Sequence, residues 1–130
     1  VFGLDISDKK KLNKTLKEIG VKQEYFDLVI DDGSHNLSDI LRSLKFFFKY
    51  LKKKGLYVIE DFKYPNYYSY NKNINHILID ELFKNIDKKK IFNSNIFTKN
   101  DQLDFMAMIS KIEIFKGNLN DSDISFISKC

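Results

Sequence analysis

Apolar positions recur at two spacings along this chain, and the switches between them mark out its elements. In YFDLVID, Tyr25 to Asp31, the residues Leu28, Val29 and Ile30 are consecutive. A run that is apolar on both faces predicts a strand buried in a parallel sheet. Leu37, Ile40, Leu41, Leu44, Phe47, Phe48 and Leu51 then follow the i, i+3, i+4, i+7 rule without a gap, which predicts a helix. KKKG, Lys52 to Gly55, supplies cations for that helix's negative end and a glycine to stop it. LYVIED, Leu56 to Asp61, reads as a second buried strand. Strand, helix and strand in this order make a βαβ unit with a right-handed crossover.

The flanks are read the same way. Residues 1–5 form a short apolar strand ending at Asp5, and Asp5 or Ser7 is placed to cap a helix carrying Leu12, Leu16 and Ile19, closed by Gly20. FKYPNYYSYNKN, with the chain's one proline and four of its seven tyrosines, reads as a loop. Its tyrosines, at 64, 67, 68 and 70, suit either a pocket for a ring-bearing substrate or simple packing of the loop. Ile74, Ile77, Leu78, Leu82 and Ile86 predict a further helix, with His76 inside it in a structural role. Residues 91–101 are loop-like. FMAMI, SK and IEIFKG then read as strand, tight turn and strand, an antiparallel hairpin, while the tail from Asn118 is unassigned. The whole is one α/β domain without repeat or linker.

Composition narrows the function classes. One cysteine, Cys130, at the last position rules out a disulfide framework within the chain and fits a reducing cytoplasm. No apolar run approaches the roughly 20 residues of a membrane span, so no membrane role is expected. A net charge of +4 could suggest nucleic acid, but Arg42 is the sole arginine among 22 basic residues. Bidentate reading of phosphate and guanine favours arginine, so no nucleic-acid partner is expected.

The chemistry gathers at two strand ends. Asp31 and Asp32 close one strand, Glu60 and Asp61 the next. If the strands are neighbours, both acid pairs leave the same C-terminal edge, where open α/β sheets bind ligands. Carboxylates packed there repel unless a cation lies among them, and an all-oxygen donor set suits Mg²⁺, Mn²⁺ or Ca²⁺. His35, three residues past Asp32 and after Gly33, has a side chain able to take a proton near neutrality. A cation that acidifies a hydroxyl beside such an imidazole makes an oxygen nucleophile. Taken singly, DDG is an ordinary turn and a strand-end aspartate an ordinary cap; the pairing of both motifs on consecutive strands is what points to a site. Paired strand-end acids with Mg²⁺ also serve phosphotransfer and receiver domains, for which Lys63 is the near cation. A degenerate module that only binds partners is the third reading.

FDLVIDDGSHNLSDILRSLKFFFKYLKKKGLYVIEDF resembles the centre of class I S-adenosylmethionine-dependent methyltransferases, and within them the metal-dependent sugar O-methyltransferases of the macrolide-tailoring type. The likeness is close over residues 26–62 and loose over 1–117. It implies a Rossmann-like sheet ending in antiparallel strands, S-adenosylmethionine and a divalent cation such as Mg²⁺ as cofactors, and a small-molecule acceptor offering a sugar hydroxyl. It makes Asp32, Glu60 and Asp61 the metal ligands and His35 the general base. It sets Asp31 beside the methyl donor and Asp5 at the donor's adenine end. The family's first strands and glycine-rich donor loop have no counterpart in these 130 residues, which open on VFGLD as a strand already under way. The expectation is therefore a single partial methyltransferase domain. Alone, it is expected to bind the donor weakly or not at all, and to self-associate through its exposed first strand.

Overall fold

The computed structural model describes residues 5–72 and 75–130. The strand expected over residues 1–5 lies outside them except for Asp5, as does Ile74. Among the described residues, five α-helices and four strands follow in the order α1 (Lys9–Glu18), β1 (Phe26–Asp31), α2 (Leu37–Phe47), β2 (Leu51–Ile59), α3 (Tyr64–Tyr67), α4 (Ile79–Asp87), α5 (Lys99–Met108), β3 (Ile109–Phe115) and β4 (Ile124–Lys129). The strands form one sheet in the order β1-β2-β4-β3. β1 runs parallel to β2, and β4 runs antiparallel to both β2 and β3. This is the α/β architecture expected: parallel strands joined by a crossover helix, then an antiparallel pair.

α1 is capped by Asp8, whose carboxylate accepts from the Lys11 N–H at 3.0 Å. The caps expected from the sequence were Asp5 or Ser7. Asp5 instead closes a two-residue turn, accepting from the Ser7 N–H at 2.7 Å, which starts the helix three residues later. Gly20 takes φ +78° just past the helix and ends it as expected. Asn36 caps α2 by accepting from the Ser38 N–H, and a single 3₁₀ turn, Phe48–Tyr50, carries α2 into β2.

KKKG does not close a helix. Lys52 to Gly55 lie inside β2, where the register slips between Phe26 and Leu28 of the partner strand. A Cβ on Gly55 would meet the Lys52 carbonyl oxygen at 2.8 Å and the Phe26 and Asp27 oxygens at 3.2 Å. The glycine is there because backbone crosses it too closely for any side chain. Lys52 reaches across to Asp27 at 2.8 Å.

The late hairpin is also displaced. Phe105 to Met108 end a helix, not a strand, because the Thr98 hydroxyl accepts from the Asp101 N–H while the Asp101 carboxylate accepts from the Thr98 N–H. This reciprocal box starts α5 and propagates to Met108. Ile109–Phe115 pairs not with the preceding segment but with Ile124–Lys129, in the tail that carried no assignment. His76 falls three residues before α4 and not within it.

One core fills the space between the sheet and α2, α4 and α5: Leu37, Leu41, Leu44, Tyr57, Ile59, Leu82, Phe105 and Ile127 are all buried in it. Gln102 is buried too, and its amide accepts from the Phe92 N–H and donates to the Phe92 and Phe97 carbonyls, pinning the loop that precedes α5. The opposite face of β1 is open: Leu28 is 50% and Ile30 57% exposed.

Two outcomes follow. Leu41→Ala empties a fully enclosed position and lowers unfolding free energy in urea by about 2–5 kcal/mol, while Leu103→Ala on the exposed face of α5 changes it by less than about 0.5 kcal/mol. Asp101 is held down to about 2: burial pushes its carboxyl up, but hydrogen bonds from Lys45 and Thr98 outweigh that. Its contribution is therefore complete above the ordinary carboxylate range and lost as pH falls through about 4 to about 2. Asp101→Asn removes that part of the acid loss of stability, read as a shallower slope of melting temperature against pH.

Candidate active site at the parallel strand ends

The register of the parallel pair decides where the acids go. Asp31 lies opposite Ile59, so both strands stop at the same level. The Glu60 N–H donates to the Asp31 carbonyl at 3.0 Å and extends the ladder by one step. Asp32 and Asp61 thus emerge side by side at one edge, as the sequence pattern implied.

His35 closes the gap between them. Its Nε2 lies 3.4 Å from Asp32 Oδ1 and 3.7 Å from Asp61 Oδ2. That nitrogen is buried and has no hydrogen-bond partner among the described residues. Both distances are long for a settled hydrogen bond, so the nitrogen is held between two carboxylates and bonded to neither. The backbone is bent to achieve this: His35 has φ 54° and Asp61 has φ 48°. Asp and His tolerate this region better than most residues, and Glu24, Lys54 and Lys89 adopt it away from the site. Asp61 is then fixed by the start of α3, since the Tyr64 N–H donates to its carbonyl at 2.8 Å. The Tyr64 ring packs against His35, centroids 5.4 Å apart.

Asp31 points elsewhere. The Tyr57 hydroxyl, itself sharing a 2.7 Å bond with Ser43, donates to Asp31 Oδ2 at 3.2 Å. Burial pushes the Asp31 carboxyl above its ordinary value, against the opposing pull of the Ser43, Tyr57 and Gly33 hydrogen bonds. Asp31 lines a cavity of about 380 Å³ together with Asp5, Ser43, Ile6, Ile40 and Phe47. Apolar side chains with carboxylates among them suit a flat ring bearing N–H donors. Asp5 and Asp31, far apart in sequence, are thereby brought to one cavity, separate from the His35 gap. A Cβ on Gly33 would lie 3.2 Å from Asp31 Oδ1, so any larger residue crowds that carboxylate.

Glu60 joins by its backbone and not through a side-chain contact with His35. Among the described residues, no three His, Cys, Asp or Glu side chains are arranged to hold a metal ion. The Asp32 and Asp61 carboxylates, both beside His35, are the oxygen donors in place for a hard cation; the Glu60 side chain is not gathered with them. The third ligand is not preset. Lys63, the cation that a phosphotransfer site requires, is committed to buried Asp123 at 2.6 Å. Tyr57 and Ser43 went unseen in the sequence as site residues, while Tyr64 was weighed there only as one of four candidate pocket-lining tyrosines. Tyr57 sits in a strand whose apolar pattern gave no hint that its hydroxyl had work to do, and Tyr64 stood among four undifferentiated tyrosines.

The fold is similar to that of a solved methyltransferase. The structure matches the MycE methyltransferase of the mycinamycin biosynthetic pathway, solved with Mg and SAH, at a TM-score of 0.65 and 21% identity, covering 98% of this chain and 32% of that one. A further crystal structure of the same enzyme, which also contains mycinamycin VI, matches equally well. In sequence, the chain is 35% identical over 75 residues to demethylmacrocin O-methyltransferase of Streptomyces fradiae and to mycinamicin VI 2''-O-methyltransferase of Micromonospora griseorubida. Each match takes in 47% of this chain and 19% of the relative. Both relatives are O-methyltransferases, and the chain spans about a fifth of their length. No family model matches the chain.

The left-handed turn at Asp61 has a measurable signature. Asp61→Gly relieves it and leaves unfolding free energy within about 0.5 kcal/mol of the parent, whereas Asp61→Val, β-branched at φ 48°, costs about 1–3 kcal/mol. Equal stability of the two variants in urea would show that no strain is stored there.

Proposed function

We propose that this chain is the acceptor side of an S-adenosylmethionine-dependent O-methyltransferase that acts on a hydroxyl of a sugar, as in glycosylated macrolides, with a divalent cation. The observation that carries the reading is the unbonded His35 Nε2 held between Asp32 and Asp61 at the ends of adjacent parallel strands.

Asp32, Glu60 and Asp61 are the residues that would hold Mg²⁺, which when bound supplies a positive charge that orients and acidifies the acceptor hydroxyl. His35 receives the hydroxyl proton at Nε2. S-adenosylmethionine, when bound, would supply the methyl group to the deprotonated oxygen and leave as its thioether. Asp31 and Asp5, around their apolar cavity, fit the adenosine end of the donor: the ring against Ile6, Ile40 and Phe47, and its N–H groups toward the carboxylates. Positioning two reactants at adjoining sites supplies a large part of the rate in a bimolecular transfer. The phosphotransfer alternative is disfavoured by Lys63, whose ammonium already has Asp123 as partner.

The test is transfer of a labelled methyl group from S-adenosylmethionine to a macrolide glycoside by the full-length polypeptide that carries this chain. His35→Gln lowers the rate by about 10²–10⁴-fold, and Asp32→Ala or excess chelator lowers it at least comparably. Undiminished transfer in both Asp32→Ala and chelator would remove the cation from the account, and labelling by acetyl phosphate in its place would replace the reaction class.

A further inference from the structure

The aromatic residues beyond His35 form a continuous surface that the transfer chemistry does not use. Tyr64 is stacked on Tyr68, centroids 4.2 Å apart and planes at 26°. The Tyr64 and Tyr70 hydroxyls share a 2.8 Å bond, and the Tyr68 and Tyr70 rings lie 6.1 Å apart. The Tyr64 hydroxyl is pushed up to about 12, first by that bond with Tyr70, so it stays protonated. The rings are not core: Tyr68 is 39% and Tyr70 73% exposed. Tyrosines that only pack a loop turn their faces inward, whereas these carry the surface outward from the imidazole. The inner end of the stack is the ring already in contact with His35.

We propose that Tyr64, Tyr68 and Tyr70 form the wall that receives the acceptor and sets which acceptors are taken, by stacking against the C–H face of a saturated pyranose ring. This rests on the reading of His35 as the group that receives the acceptor's proton. A pyranose offers one face of axial C–H bonds and an edge of hydroxyls. The electron-rich faces of exposed Tyr68 and Tyr70 take the first. A ring seated on the wall is held beside His35, so the hydroxyl nearest its inner end is the one presented for reaction. Tyr64, wedged between His35 and Tyr68, sets the spacing, and Tyr68 and Tyr70 supply the accessible surface.

The wall can be tested without any transfer. The chain has no tryptophan and seven tyrosines, so ring-labelled tyrosine gives few and assignable NMR signals. Methyl β-D-galactopyranoside, whose one ring face is all C–H, is titrated in the presence of chelator and without donor. The Tyr64, Tyr68 and Tyr70 signals move together with one saturating curve, and that of fully buried Tyr57 stays still. Tyr68→Ala weakens binding by about tenfold or more, Tyr68→Phe restores it to within about threefold, and an unmoved Tyr57 signal verifies the fold of each variant. Shifts spread evenly over all tyrosines, or binding unchanged in Tyr68→Ala, would overturn the wall. So would a response to phenol alone, which would make the ligand a flat aromatic ring. Saturable binding without methyl transfer in the full-length protein would instead sink the transferase reading and leave the wall standing.

Discussion

Everything at the strand ends depends on the alignment of β1 with β2. Asp31 opposite Ile59 makes the two strands stop together, and the Glu60 N–H to the Asp31 carbonyl locks the last step. Had the pairing slipped by one residue, Asp32 and Asp61 would exchange faces and His35 would have one carboxylate neighbour or none. The alignment is not set at the strand ends themselves. It is set where Gly55 lets the β2 backbone pass close to the Phe26 and Asp27 carbonyls, and by the apolar residues that bury Tyr57 and Ile59 against α2.

The site therefore has a rigid back and a permissive front. Behind it, Tyr57 is wholly buried, with its hydroxyl engaged by Ser43 and by Asp31, so a polar group inside the core is satisfied instead of costing stability. Tyr57 and Ser43 thereby aim Asp31 into one cavity, while Asp32, the next residue, faces the His35 gap. Adjacent residues of an extended chain point to opposite sides, so a single strand end serves two neighbouring binding spaces. In front, half-buried Tyr64 borders the same imidazole, and exposed Tyr68 and Tyr70 continue from it. On the proposed reading, donor binding falls to the strand end and acceptor selection to the short helical segment after it, a division suited to keeping a reaction while changing its substrate.

The parts of this arrangement legible in the sequence are those written in contiguous apolar runs. β1, α2 and β2 were readable as elements from Leu28–Ile30, the Leu37–Phe48 periodicity and Leu56–Ile59, although Leu28 and Ile30 are half-exposed instead of buried on both faces and Leu51 opens β2 instead of closing the helix. KKKG misled because lysines before a glycine look alike at a helix end and in a strand irregularity; the deciding fact is a carbonyl 2.8 Å from a missing Cβ. FMAMI is short and apolar, hence ambiguous in period, and the available signal was the Thr98–Asp101 box upstream. β4 was invisible because Ser125 and Lys129 are among its buried positions, with the Lys129 ammonium donating to the Leu51 carbonyl at 2.7 Å. In the site, residue types announced the acids and the histidine. Their convergence on one nitrogen required positive φ at His35 and Asp61, which no residue type there demands.

The account's central claim is that Asp32 and Asp61 act on one point in space, with His35 beside it. The most direct measurement is paramagnetic line broadening on adding Mn²⁺ in small amounts to the isotopically labelled chain. The account predicts that signals of Gly33, His35 and Phe62 broaden first and together, and that either Asp32→Asn or Asp61→Asn alone abolishes the effect. Broadening that starts elsewhere, or that persists in both variants, would contradict it.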